Sequence, residues 1–179
     1  MKFNNYNEYQ NKALRTLNDK GKELNILHCV MGMTGEIAEY LDTADVEKSL
    51  RELGDCLWYS AVLAHVFGYS LDVVRDKAFD SFREQNRYPS AKTAIIVAGE
   101  ITDMLKKHIF YNKDLPEDAI IDLLGLYILC LESLCGQLGD KLLAVAWGNI
   151  KKLEARYPEK YTDQLAINRN EEAENAVSW

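Results

Sequence analysis

Apolar residues recur along the chain at the period of a helix. Leu50, Leu53, Leu57, Ala61 and Ala64 fall three or four positions apart, the spacing that turns one stripe of a helix toward a core. No segment alternates apolar and polar positions as a half-buried strand does. The pattern predicts helices over about 5–19, 24–43, 46–67, 71–87, 91–111, 116–136 and 139–156. Only three prolines and ten glycines interrupt the chain, and Pro89, Pro116 and Pro158 fall at predicted boundaries, where a missing N–H is tolerated. Asp45, Ser70, Ser90 and Asp114 are the expected N-caps, since a short polar side chain can accept from the first free backbone amides. Pro116 suits the first turn of its helix. The expected fold class is all-α.

The chain also repeats itself. GEIAE at 35–39 returns as GEITD at 99–103, and RYP at 87–89 returns at 156–158, offsets of 64 and 69 residues. A single all-α domain over 1–165, built from two fused units of about 1–89 and 90–165, accounts for this spacing. Beyond Tyr161 the sequence turns polar and charged, and a weakly ordered tail over 166–179 is expected. The units have diverged unequally. Glu100 and Asp103 persist in the second, but ELGD at 52–55 is answered by DLLG at 122–125, so Gly125 stands where a carboxylate stood. One complete site across a pseudo-dimer is expected, not two.

Composition narrows the function. With 179 residues, 47% apolar and 27% charged, the chain can bury a proper core. A net charge of −7 argues against a nucleic-acid binder, though not against a nucleotide whose phosphates a metal neutralises. Cys29, Cys56, Cys130 and Cys135 show no CxxC spacing and read as reduced core thiols of a cytoplasmic protein. No apolar run is expected to span a membrane, and the N-terminus lacks the layout of a secretion signal.

The chemistry concentrates in two acidic pairs, Glu36 with Glu39 and Glu52 with Asp55, separated by residues 40–51. Each pair is spaced i, i+3 and so shares a helix face; two helices joined by a short turn would bring all four together. Taken as a set with no basic side chain among them, the four repel and hold raised pKa values until a cation intervenes. Mg²⁺ suits such a set, because it takes oxygen ligands and keeps positions for water and phosphate. Asn149, Lys152 and Arg156 form a second stripe fit to grip phosphates: Arg by a forked contact, Lys as a point charge, Asn as a neutral donor. Lys106 and Lys107, followed by His108, Phe110 and Tyr111, offer further charge and a stacking ring. Near the N-terminus, Gln10 is placed to read a base edge and Tyr9 to stack on it, with His28 beside the acid helices lining the pocket. Trp58 is expected to pack, and His65 to be structural or exposed.

Taken in order, EYQNKALRTL, GEIAE with ELGD, and AWGNIKKLEARYPEKY resemble the all-α nucleoside triphosphate pyrophosphohydrolases, the MazG-like and dimeric dUTP pyrophosphatase superfamily, and in particular phage-type MazG-related proteins. The resemblance covers roughly residues 4–162. It implies a four-helix-bundle core and Mg²⁺- or Mn²⁺-dependent cleavage of a (deoxy)nucleoside triphosphate to the monophosphate and pyrophosphate. By residue match, Glu36, Glu39, Glu52 and Asp55 would hold metal, and Asn149, Lys152 and Arg156 would meet phosphates; among the carboxylates, we choose Glu39, on the first acidic helix, to orient the attacking water. Single-unit members work as dimers or tetramers, so a homo-oligomer, a dimer, is expected here. A degenerate nucleotide-binding or regulatory protein is the competing reading, and a purely structural helical module a third.

Overall fold

The computed structural model describes residues 3–82, 88–168 and 170–177. All regular structure among them is helical: α1 Tyr6–Ala13, continued by a 3-10 turn at Leu14–Thr16; α2 Lys22–Asp42; α3 Val46–Val66; α4 Leu71–Phe82; α5 Ala91–Tyr111; α6 Glu117–Gln137; α7 Leu142–Arg156; and the short α8 Asp163–Ile167 and α9 Glu171–Asn175. The expected continuation of α4 over 83–87, with Arg87 of the repeated RYP, lies outside the described residues.

Local chemistry sets the boundaries. Asp45 accepts from the Lys48 amide at 2.8 Å and Ser90 from the Thr93 amide at 3.1 Å, capping α3 and α5 as the sequence suggests. Asp114 caps nothing: α6 starts at Glu117 with Pro116 in the cap position, because the first helical turn falls one residue later than expected. Both α3 and α6 end in the same way. Gly68 and Gly139 take left-handed φ values of 79° and 83°. The next amides, Tyr69 and Asp140, then reach back five residues to Ala64 and Cys135 carbonyls at 2.9 and 3.0 Å, the double-bonded stop that favours glycine.

Four 21-residue helices, α2, α3, α5 and α6, form the centre. Contacts run α2 to α3, α3 to α6, α6 to α5 and α5 back to α2, a closed ring. The flanking helices cross over: α4 packs chiefly on α6, while α7 packs on α3. Leu53, Leu57, Ala61 and Ala64 from the predicted stripe are fully buried, with Leu50 nearly so. Ile37, Ile101, Ile120 and Tyr127 close the core from the other members of the ring. Contrary to the sequence-based expectation, α6 is by length and composition apolar enough to cross a membrane. Its apolar character has another cause: α3, α4, α5 and α7 all lie against it, so few of its positions face water. All four cysteines are buried and unpaired with one another.

The polar tail also departs from expectation. Thr162 caps α8 and Asn170 caps α9 through their side-chain oxygens. The second of these helices docks on α7 with Glu174 buried beneath it. A buried carboxylate with cationic neighbours supplies an anchor that composition does not reveal.

Candidate metal and phosphate site

The turn Thr43–Asp45 reverses the chain between α2 and α3, and so sets GEIAE against ELGD. Carboxylate oxygens of Glu36, Glu39 and Glu52 all lie within 4.8 Å of one another. Asp55, one turn further along α3, lines the same space with Glu36. Glu39 is exposed, Glu36 and Asp55 half-buried, and Glu52 buried. Burial raises the Glu36 carboxyl from its ordinary 4.5 to about 8, and the charges of Asp55, Glu52 and Glu39 add to the effect. Glu52 is raised for the same reasons, burial first and then Asp55 and Glu39. Crowded carboxylates in a partly dry cavity favour a cation, and an all-oxygen donor set with open positions fits a hard divalent ion.

The set is not without basic neighbours, as the sequence had suggested. Lys48, Arg51 and Lys152 border the acid cavity. Spacing puts Lys48 on the face of Glu52 and Asp55, four and seven residues on, so this was visible in the sequence. Lys152 donates to Asp55 Oδ2. Asp55 Oδ1 accepts from Asn149 Nδ2 at 2.8 Å, and Asn149 Oδ1 accepts from the Tyr9 hydroxyl at 2.9 Å. This relay fixes the Asn149 amide so that its NH₂ faces the carboxylate.

The relay changes the roles expected for three residues. Asn149 is fully buried and cannot meet a phosphate; it positions Asp55. Tyr9 is equally inaccessible, so it stacks on no base, and burial pushes its hydroxyl pKa up. Gln10 holds the fold: its amide donates to the Ala61 and Tyr69 carbonyls at 3.0 and 3.2 Å and accepts from the Leu71 amide at 3.0 Å. Helical periodicity places such residues on the inward face, but it does not say that their polar tips find partners there.

Lys107 lies elsewhere. It is paired at 2.6 Å with Asp103, four residues back on α5, and Lys106 contacts the same carboxylate. These lysines hold Asp103 down to about 2. On α6, Gly125 is packed tightly against α4. A Cβ on Gly125 would stand 2.4 Å from Ala78 Cβ and 2.6 Å from the Val74 carbonyl. The absence of a side chain at this position is what lets α4 press onto α6.

A second cleft, of about 580 Å³, opens beside the acids, sharing Glu36, Asp55 and Lys152 with them. His28, Trp58 and Tyr59 form its aromatic wall, edge to face with centroids 5.0–5.9 Å apart. Burial lowers the His28 pKa, favouring the uncharged ring. Trp58 packs as expected, its indole donating to Thr16 Oγ1 at 2.9 Å. Tyr59, Asn18, Lys20 and Asn25 also line the cleft and were not singled out from the sequence. The Tyr59 ring sits where a Cβ on Gly32 would be, 2.2 Å away, a small residue facing a large one that only the fold brings together. Arg156 lies on the cleft wall, its guanidinium 5.2 Å from the Tyr157 ring centroid.

Set against known proteins, the chain matches no family model, no curated protein and no solved structure.

Proposed function

We propose that the protein is a metal-dependent nucleoside triphosphate pyrophosphohydrolase of the MazG-like kind, with one active site per chain. One observation carries the reading: Glu36, Glu39 and Glu52 converge within 4.8 Å on a cavity whose wall continues through Lys152 into a cleft roomy enough for a nucleotide. Glu36, Glu39 and Glu52 would hold Mg²⁺, or Mn²⁺ in its place, which when bound neutralises phosphate charge and acidifies a water. Exposed Glu39 is the carboxylate with room to orient that water. Lys152 spends one of its three donors on Asp55 and keeps others for a phosphate oxygen. The aromatic wall of His28, Trp58 and Tyr59 is shaped to take the nucleoside. The crossed packing of α4 on α6 and α7 on α3 supports a domain of two fused units, and a dimer of such chains in the cytoplasm, without nucleic-acid or membrane partners, completes the reading.

The test is a panel of canonical and modified triphosphates with Mg²⁺, scored for monophosphate and pyrophosphate. Orthophosphate as the sole product, or none, overturns the assignment. A second reading, a catalytically silent nucleotide binder, is favoured by one feature: Lys152 and Arg156 already face carboxylates, Asp55 and Glu174. It predicts triphosphate binding without pyrophosphate release.

A further inference from the structure

The C-terminal segment packs on α7 and reaches two arginines of the site's walls. Asn170–Val177 is rich in acids, and Glu171 and Glu172 face water as such residues usually do. Glu174 does not: it is 1% exposed. A carboxylate is buried only at a cost unless cations meet it. One arginine faces this carboxylate and a second holds the backbone beside it. Arg156 Nε stands 3.8 Å from Glu174 Oε1. From the other side Arg51 donates to the Glu174 and Val177 carbonyls at 3.3 and 3.4 Å. Arg156 belongs to the wall of the nucleotide-sized cleft and Arg51 to that of the acid cavity. The segment therefore sits on the guanidinium groups that flank the two halves of the site.

Arg156 is incompletely satisfied there. Its Nε is buried and makes no hydrogen bond, since 3.8 Å is beyond hydrogen-bond reach. An oxyanion able to approach to about 2.8 Å would satisfy that donor and add a forked contact. Phosphate has the geometry to do this, and Glu174, tethered through α9, leaves it undone.

We propose that residues 170–177 form a strap, held in cis by Glu174, that occupies the arginine positions of a polyphosphate and is displaced when one binds. The proposal rests on the reading of the cleft as a polyphosphate site, but it does not require hydrolysis. An occupied strap lowers apparent affinity by the fraction of time the site is open, so removing its charge tightens binding.

The experiment measures affinity for inorganic triphosphate in EDTA by calorimetry, on the full chain, for wild type, Glu174→Gln and Glu171→Gln. The last changes net charge equally on the exposed face of the same helix. Amide hydrogen exchange over 171–177 is followed with and without triphosphate. Glu174→Gln should bind about tenfold more tightly than wild type, Glu171→Gln within about twofold, and triphosphate should speed exchange of the wild-type strap. Equal affinities for Glu174→Gln and wild type, equal gains in both variants, or a strap whose exchange slows or stays fixed overturns the proposal, as does absence of triphosphate binding in all three. Displacement without any hydrolysis of nucleotides leaves the strap standing and removes the enzymatic reading. Hydrolysis with no effect of Glu174→Gln does the reverse.

Discussion

Replacing Glu36 by Gln keeps the shape of the side chain and removes the charge that the folded protein tolerates least. In the fold its carboxyl is raised from 4.5 to about 8. An acid whose folded value exceeds its unfolded one penalises folding wherever it must ionise. Below about pH 4.5 it is protonated in both states and costs nothing; the penalty grows as pH rises and is complete above about pH 8. At about 1.4 kcal/mol per pH unit the ceiling is about 5 kcal/mol. Glu36 is half-buried, and solvent screening reduces that to about 2 kcal/mol. For a chain of this size such a gain raises Tm by about 4–8 °C. Thermal melts by circular dichroism in EDTA should therefore show Glu36→Gln more stable than wild type at about pH 8.5, the gap closing toward about pH 5. Comparing the two proteins at each pH cancels the titrating groups that lie apart from the acid cavity. A variant that melts at or below wild type at pH 8.5, or a gap independent of pH, refutes the electrostatic account of the acid cavity.

Four further outcomes are expected. Mg²⁺ at a hundredfold its dissociation constant should stabilise wild type by about 2.7 kcal/mol in the same melts, and should lose most of that effect in Glu52→Gln; equal shifts in both would place the ion elsewhere. Asp55→Ala should remove pyrophosphate release while leaving the far-ultraviolet spectrum unchanged, and near-native turnover at saturating Mg²⁺ would remove Asp55 from the site. Tyr9→Phe strips the donor from buried Asn149 Oδ1 and should cost about 1–3 kcal/mol in urea unfolding; no loss would mean the relay is idle. Gly125→Ala collides with the Val74 carbonyl, a backbone atom that cannot swing aside, and should cost about 1–3 kcal/mol, whereas a neutral result would show that α4 is not pressed against α6 as described.

Much of the fold could be read from the chain because its order is local. A stripe such as Leu50, Leu53, Leu57 and Ala61 fixes both a helix and its inward face, and the glycines after α3 and α6 mark where each must stop. The acid site was legible for the same reason: i, i+3 spacing and a short turn are enough to converge GEIAE on ELGD. Roles that depend on partners far along the chain were not legible. Nothing near Tyr9 announces Asn149, 140 residues on, nor does a run of glutamates reveal that Glu174 alone turns inward. Lys107 shows the opposite failure, since Asp103 four residues earlier already offered it a partner.

The exchange of flanking helices has a consequence for how this molecule comes apart. With α4 lying on α6 and α7 on α3, each half shelters its own centre with a limb borrowed from its neighbour. Pulling the halves apart would wet both interiors at once, so loss of structure within a chain should come as one event. Gly125, pressed against Ala78 and Val74, is part of that shared packing.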